Sequence, residues 1–453
     1  MTNSLDISYK GLLKVAVPIS LGTFVQFVVS FTDNYFVAQL NGNAMSAVSF
    51  VGLIYITLVM IGIGLGNAAQ ILIARRKGEG LYDEAGEVTG NAFRLAFVIA
   101  IVQFFILFFL IPEVLDVFIS HDEVRVYMKE FITYRSFGFF FYALTLILNS
   151  FWSGIAQTRV MIWTTTITAI VNIVLDYGLI FGNLGFPEMG VKGAALATSI
   201  AEAVAFVFIL IYTLYNYDKY HQSSPASSYR LKEWLKQGSW RYSSVLIKLG
   251  GPISLQMLLS LGLWGVFYGF VETMGESELQ ASFIVRQMYM LVYISIGGFS
   301  TTAKTYISGL IAERRQHDLR KVIVRLMVLN LCGVIFFSHG LWVYPYFIAE
   351  QFTDNVLTIQ QTVDTMHIVL PAMLTFSFTS ILLATVEGSG NTVAGFLVEL
   401  ITVIIYIVAA YAMVFPLKWP VHLVWTADYV YFILIGLFSW LFLYNGKWKY
   451  KKV

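Results

Sequence analysis

Ile170-Val171-Asn172-Ile173-Val174-Leu175-Asp176-Tyr177 sets an amide and a carboxylate inside an otherwise apolar run. The run lies in a stretch long enough to cross a bilayer, residues 159–182. A carboxylate at that depth costs about 2.5–3.5 kcal/mol on insertion scales, so such residues are expected to line a pathway or a binding site. The four-residue spacing puts Asn172 and Asp176 on one face of a helix. They are placed to hold one small cation or a proton between them. The other reading is that they join helices by hydrogen bonds.

The composition around this run agrees with a membrane setting. Of 453 residues, 58% are hydrophobic, 16% aromatic and only 12% charged, against about 25% charged in a soluble domain. The single cysteine, Cys332, excludes an intramolecular disulfide and reads as inert packing. A net charge of +2 argues for no nucleic-acid partner. The first apolar stretch, Gly11 to Leu40, is much longer than the ~7–15 residues of a cleavable signal core, so membrane delivery is expected to rest on the first spanning helix.

A spanning helix needs about 20 mostly apolar residues. Twelve stretches qualify: 12–40, 44–74, 90–111, 124–150, 159–182, 190–216, 244–274, 279–312, 320–344, 357–386, 391–416 and 424–445. The fold class is therefore an all-α membrane protein. Pro18, Pro252 and Pro371 are expected near span ends or in first turns, where a missing amide costs least. Basic residues mark one set of loops: Lys10 and Lys14, Arg75 to Lys77, Arg159, Lys219 to Arg241, Arg314 to Lys321, and Lys447 to Lys452. The alternate loops hold little beyond Arg125, Lys129, Lys192 and Lys418. The positive-inside rule then puts both termini in the cytoplasm. Residues 217–243, with Ser223-Ser224-Pro225-Ala226-Ser227-Ser228 at their centre, read as a cytoplasmic linker between two six-helix halves, 1–228 and 229–453.

The halves repeat. Pro18-Ile19-Ser20 returns as Pro252-Ile253-Ser254, and Gly154-Ile155-Ala156-Gln157-Thr158 returns as Gly388-Ser389-Gly390-Asn391-Thr392, both displaced by about 234 residues. Arg75-Arg76 has an approximate echo in Arg314-Arg315. An even number of spans per half makes the repeats parallel, and transporters built that way bind between halves and expose the site alternately.

Depth follows from the 1.5 Å rise per helical residue. Asp33 falls roughly 10 Å below the outer face, Asp176 about 9 Å, Asn172 about 15 Å and Thr198 about 12 Å. Two carboxylates, an amide and a hydroxyl thus reach nearly one level. These hard oxygens suit Na⁺ or a shared proton rather than a soft metal.

Phe31-Thr32-Asp33-Asn34-Tyr35-Phe36-Val37-Ala38-Gln39-Leu40 after Pro18 resembles the first helix of the multidrug and toxic compound extrusion family. Asn172-Ile173-Val174-Leu175-Asp176-Tyr177-Gly178-Leu179-Ile180-Phe181-Gly182 and Gly190-Val191-Lys192-Gly193-Ala194-Ala195-Leu196-Ala197-Thr198 resemble its fifth and sixth. The resemblance covers essentially the whole chain. It implies twelve helices in two parallel six-helix repeats, V-shaped, forming an antiporter that exports organic compounds against Na⁺ or H⁺. It also implies that Asp33, Asn172, Asp176 and Thr198 match a cation site in the first half. One branch of the family carries acids in the seventh and tenth helices. The corresponding positions here are close to Ser260 and Phe376, which do not ionise.

Three further charges lie within spans. Glu202 follows Thr198 by four residues and shares its face, as part of a substrate cavity or as a hydrogen-bonded structural group. Lys304 and Glu399 each fall roughly 12 Å deep in the second half and are expected to pair. Aromatic runs such as Phe137-Gly138-Phe139-Phe140-Phe141-Tyr142 offer cation–π surfaces for flat cations. No Walker motif, phosphate loop or nucleophile triad is present, so an enzyme is not expected and no cofactor beyond the coupling ion is called for. The expected setting is a bacterial inner membrane, with a monomer acting on a small organic substrate. The competing reading is a lipid-linked oligosaccharide flippase of related two-bundle design, which would need a strongly cationic cavity where these candidates are acidic.

Overall fold

The computed structural model describes residues 4–216 and 228–451. The centre of the expected linker, 217–227, lies outside the described residues, and with it Lys219 and Ser223 to Ser227. Among the described residues, twelve helices are long and apolar enough to cross a membrane. In chain order they are Tyr9–Ala38, Gly42–Gly78, Tyr82–Phe118, Asp122–Gly154, Arg159–Phe181, Val191–Asn216, Ser243–Glu272, Glu276–Ala312, Gln316–Val343, Val356–Gly388, Thr392–Val414 and Val421–Tyr444. Helices are what a lipid-immersed chain requires, since each satisfies its own backbone groups.

Local sequence explains several boundaries. Asn41 caps the second helix, its side chain accepting from Ala44 N at 2.7 Å. Asn355 caps the tenth, accepting from Leu357 N at 3.0 Å and Thr358 N at 3.2 Å. Gly182, at φ +71°, closes the fifth helix in the left-handed region that glycine enters freely. The third helix loosens into one π turn over Ile106–Leu110, just before Pro112. A proline ring displaces the carbonyl four residues earlier, and a widened turn accommodates it. Pro18, Pro252 and Pro371 lie inside the first, seventh and tenth helices rather than at their ends. Proline is tolerated in spanning helices because neighbouring groups can serve the freed carbonyl.

Contacts divide the chain into two compact units, Leu21–Ser254 and Met1–Ser20 with Leu255–Val453. In covalent order, residues 1–228 and 229–453 hold six spanning helices each. The core of the Leu21–Ser254 unit includes Val51, Phe139, Ile180 and Ala195. The core of the other unit is more aromatic. Phe267 meets Trp425 edge-on at 4.9 Å, and Phe376 stacks on Phe432 at 4.3 Å. In that unit the chain's first described residues form a strap. Arg315 Nη1 donates to Leu5 O at 3.0 Å, Tyr306 Oη to Asp6 O at 3.0 Å and Arg325 Nη1 to Ile7 O at 2.6 Å.

The internal repeat extends to backbone geometry. The turns after the fourth and tenth helices put Ala156 and Gly390 at positive φ, +60° and +88°. Matching hydrogen bonds surround them: Ala156 N to Ser153 O, and Gly390 N to Glu387 O. The turns after the second and eighth helices likewise pair Gly80 (φ +78°) with Arg314 (φ +57°). Arg314 is thus the counterpart of Gly80, and the echo read between Arg75-Arg76 and Arg314-Arg315 is not a positional match.

The described part of the linker is fastened to the third helix. Trp234 Nε1 donates to Asp83 Oδ1 at 2.7 Å, Arg94 Nη1 to Trp234 O at 2.8 Å and Tyr242 N to Asn91 Oδ1 at 3.2 Å. Gly86 and Gly90 permit this approach: a Cβ would stand 1.8 Å from Tyr229 O at one and 2.5 Å from Trp234 O at the other. That docking explains why the third helix begins at Tyr82, a full two turns before the apolar stretch.

Candidate functional site

The fifth and sixth helices of the Leu21–Ser254 unit cross closely because Gly193 sits on Leu179, where a Cβ would stand 2.5 Å from the Leu179 carbonyl oxygen. Just under one turn from that crossing the fifth helix presents Asp176, and a turn further Asn172, both fully buried. Asn172 Nδ2 donates to Thr198 Oγ1 at 3.3 Å, and Thr198 Oγ1 donates to Ala194 O at 3.0 Å. Asp33 of the first helix turns its carboxyl toward Asp176, with the Asn172 amide beside both. The structure therefore brings Asp33, Asn172, Asp176 and Thr198 together.

Their oxygens are short of donors. Both carboxyl oxygens of Asp176, Oδ1 of Asp33 and Oδ1 of Asn172 are buried with no hydrogen-bond partner among the described residues. Buried polar atoms are nearly always bonded, so four such oxygens at one place are the kind of arrangement a shared proton or a bound cation would complete. Two facing carboxylates cannot both stay charged in low dielectric without a proton or a cation between them. Among the described residues no three His, Cys, Asp or Glu side chains gather as a metal cluster. Two carboxylates with an amide oxygen and a hydroxyl fit a monovalent charge.

Glu202 is held by a charged partner. Its two carboxylate oxygens accept from Arg135 Nη1 and Nη2, each at 2.6 Å. The guanidinium also lies over the Tyr55 ring, 3.9 Å from its centroid. This pairing matches the second role considered for Glu202, a hydrogen-bonded structural group, with Arg135 as its partner. Gly138 makes room for it. A Cβ there would stand 2.4 Å from Glu202 Oε2 and 2.6 Å from Arg135 Nη1. Sequence reasoning missed Arg135, although the cost of a charge in mid-span, which drew attention to Asp176, applies equally to it.

The second expected pair is also re-partnered. Lys304 Nζ lies 2.7 Å from Glu387 Oε2, not from Glu399. Gly388 explains the choice: it packs on the Lys304 backbone, where a Cβ would stand 2.8 Å from Lys304 Cα. Glu387 is thereby carried to the lysine, while the eleventh helix packs against the tenth and twelfth. Glu399 instead accepts from Ser260 Oγ at 2.6 Å and from Tyr431 Oη. Glu387 falls one residue beyond the tenth apolar stretch, 357–386.

Twelve spanning helices built from two parallel repeats, with donor-poor carboxylates buried in one of them, define a secondary-transporter architecture. A family model described as MatE matches residues 18–178 and again 252–412, and the two matches begin at the repeated prolines. The chain belongs to this family of transporters and is an integral membrane protein. A probable multidrug resistance protein NorM from Thermotoga maritima is 22% identical over 98% of this chain and 94% of its own length. The probable NorM of Agrobacterium fabrum is 24% identical over 77% of this chain and 73% of its own length. Among solved structures, an outward-facing multidrug resistance MATE transporter superposes with a TM-score of 0.88 over the full length of both chains at 18% identity. A MOP superfamily transporter from Pyrococcus furiosus gives 0.87 over 99% of each, also at 18% identity. At that identity the structural likeness speaks for the fold alone.

Proposed function

We propose that this protein is an antiporter that exports amphipathic organic compounds, cationic ones above all, in exchange for Na⁺ or H⁺. The coupling ion binds at Asp33, Asn172, Asp176 and Thr198. The observation that carries this reading is Asp176: fully buried, with both oxygens lacking a donor, and facing a second carboxyl. Bound Na⁺ would take the orphaned oxygens as hard ligands, and a proton would bridge the two carboxyls. Relatives named as multidrug resistance proteins support the export of organic compounds. The parallel repeat supports alternating access, the two halves exposing the substrate to one side and then the other. Both termini lie in the cytoplasm in this reading, by the distribution of Lys and Arg.

The test is efflux of an organic-cation dye from proteoliposomes under separately imposed Na⁺ and pH gradients. Efflux driven by one gradient and lost in Asp176→Asn is the expected result. Efflux indifferent to both gradients would overturn it.

A further inference from the structure

The unit formed by Met1–Ser20 and Leu255–Val453 holds a charged cluster that the Asp33 and Asp176 site does not use. Glu399 is 1% exposed and, among the described residues, forms no ion pair. The Glu387 charge reaches it, but Lys304 is bound to Glu387. Two carboxylates and one ammonium leave one negative charge in excess, deep among spanning helices. An uncompensated buried charge is poorly tolerated.

The groups facing Glu399 are Ser260 on the seventh helix, Tyr289 and Tyr293 on the eighth, Glu387 on the tenth and Tyr431 on the twelfth. Only Glu387 among them is ordinarily charged, and it has its lysine. The hydroxyl contacts serve either protonation state. Ser260 Oγ lies 2.6 Å from Glu399 Oε1 and 3.1 Å from Gln256 O, and its one hydrogen can go to only one of them. When Glu399 is charged, Ser260 and Tyr431 both donate to it. When Glu399 is protonated on Oε1, it donates to Ser260 Oγ, which turns its own hydrogen to Gln256 O. No heavy atom has to move.

A second observation points to the same ligand. Gln256 is 8% exposed, and its side-chain Oε1 has no donor among the described residues. It and Glu387 Oε1 both lie over Gly395, each 3.7 Å from where a Cβ would stand. Gln256 and Ser260 are one turn apart on the seventh helix, as Gly395 and Glu399 are on the eleventh. The orphaned amide oxygen therefore lies one turn from Glu399, on the side of Glu387. A proton carried between the two carboxyls would supply the donor it lacks.

We propose that Glu399 is a second proton-binding site, held by Ser260 and Tyr431 and linked to the Lys304 and Glu387 pair past Gln256. Each unit then carries its own protonatable carboxyl. The site's carboxyl comes from the eleventh helix, not from the seventh- and tenth-helix positions close to Ser260 and Phe376.

The experiment is acid-minus-alkaline infrared difference spectroscopy on the full chain in lipid nanodiscs, reading the C=O stretch of protonated carboxyls. Glu399→Gln is expected to remove one band. Ser260→Ala is expected to keep that band and to shift both its frequency and its titration midpoint, because one hydroxyl contact is lost. The Asp33→Asn, Asp176→Asn double variant is expected to keep it unchanged, which separates this site from the first whatever the fate of that one. A full set of bands in folded Glu399→Gln would overturn the proposal. If Glu399→Gln does not fold, Ser260→Ala decides, and a spectrum identical to that of the parent chain would overturn it.

Discussion

Arg135 and Glu202 form a two-pronged ion pair, each guanidinium nitrogen 2.6 Å from its own carboxylate oxygen. The pair neutralises itself, whereas Asp33 and Asp176 form no ion pair among the described residues. The Arg135 charge also reaches Asp33, so the pair helps set the field at the proposed coupling site.

Breaking that pair should be costly in a particular pattern. Arg135→Met or Glu202→Gln alone leaves a buried charge unpaired, typically about 3–5 kcal/mol. The double variant should lose less than the sum of the two. Gly138→Ala, whose Cβ would enter the pair, should also lower the melting temperature even though alanine favours helix. Thermal melting in detergent measures all four variants, and additive losses would mean that the pair contributes no coupling.

Asp176→Asn should reduce ion-driven efflux to background while the protein still melts cooperatively. Asn keeps the shape and removes the charge that the proposed coupling ion needs. Asp33→Asn should act the same way, since each carboxyl faces the other. Transport at the parent rate in both variants would exclude this pair as the coupling site.

Lys304 should couple energetically to Glu387 rather than to Glu399. In double-variant cycles, Lys304→Met with Glu387→Gln should show an interaction of about 1–3 kcal/mol. Lys304→Met with Glu399→Gln should lie much closer to additive, because Glu399 is held by hydroxyls. The reverse ranking would mean that the lysine changes partner in the membrane.

The repeated turns make a paired prediction. Ala156 holds a left-handed conformation that costs a non-glycine residue about 1–2 kcal/mol, and its counterpart is Gly390. Ala156→Gly should raise the melting temperature by the equivalent of up to about 1 kcal/mol, and Gly390→Ala should lower it by a similar amount. Opposite signs at the two positions are the outcome to look for; equal signs would contradict the equivalence of the turns.

Much of this molecule was legible without coordinates, for a physical reason. Spanning helices are set by local apolar length, and Asn172 and Asp176 share a face through helical periodicity alone. The repeat was visible because its turns need small or flexible residues at fixed offsets, as at Gly154 to Thr158 and Gly388 to Thr392. Asp33 and Thr198 could be added because depth along a helix follows from counting residues.

Partner choice was not legible, because it depends on which helix lies beside which and at what rotation. Depth matched Lys304 with Glu399 equally well. Only the packing of Gly388 on the Lys304 backbone sends the lysine to Glu387. Sequence left Glu202 open between a cavity role and a hydrogen-bonded one; the fourth helix brings Arg135 against it, in the space Gly138 leaves free. Counting along one chain determined which residues enter the membrane and at what level. The close approach of glycine-bearing helices decided which buried charges meet and which carboxyls are left without a charged partner.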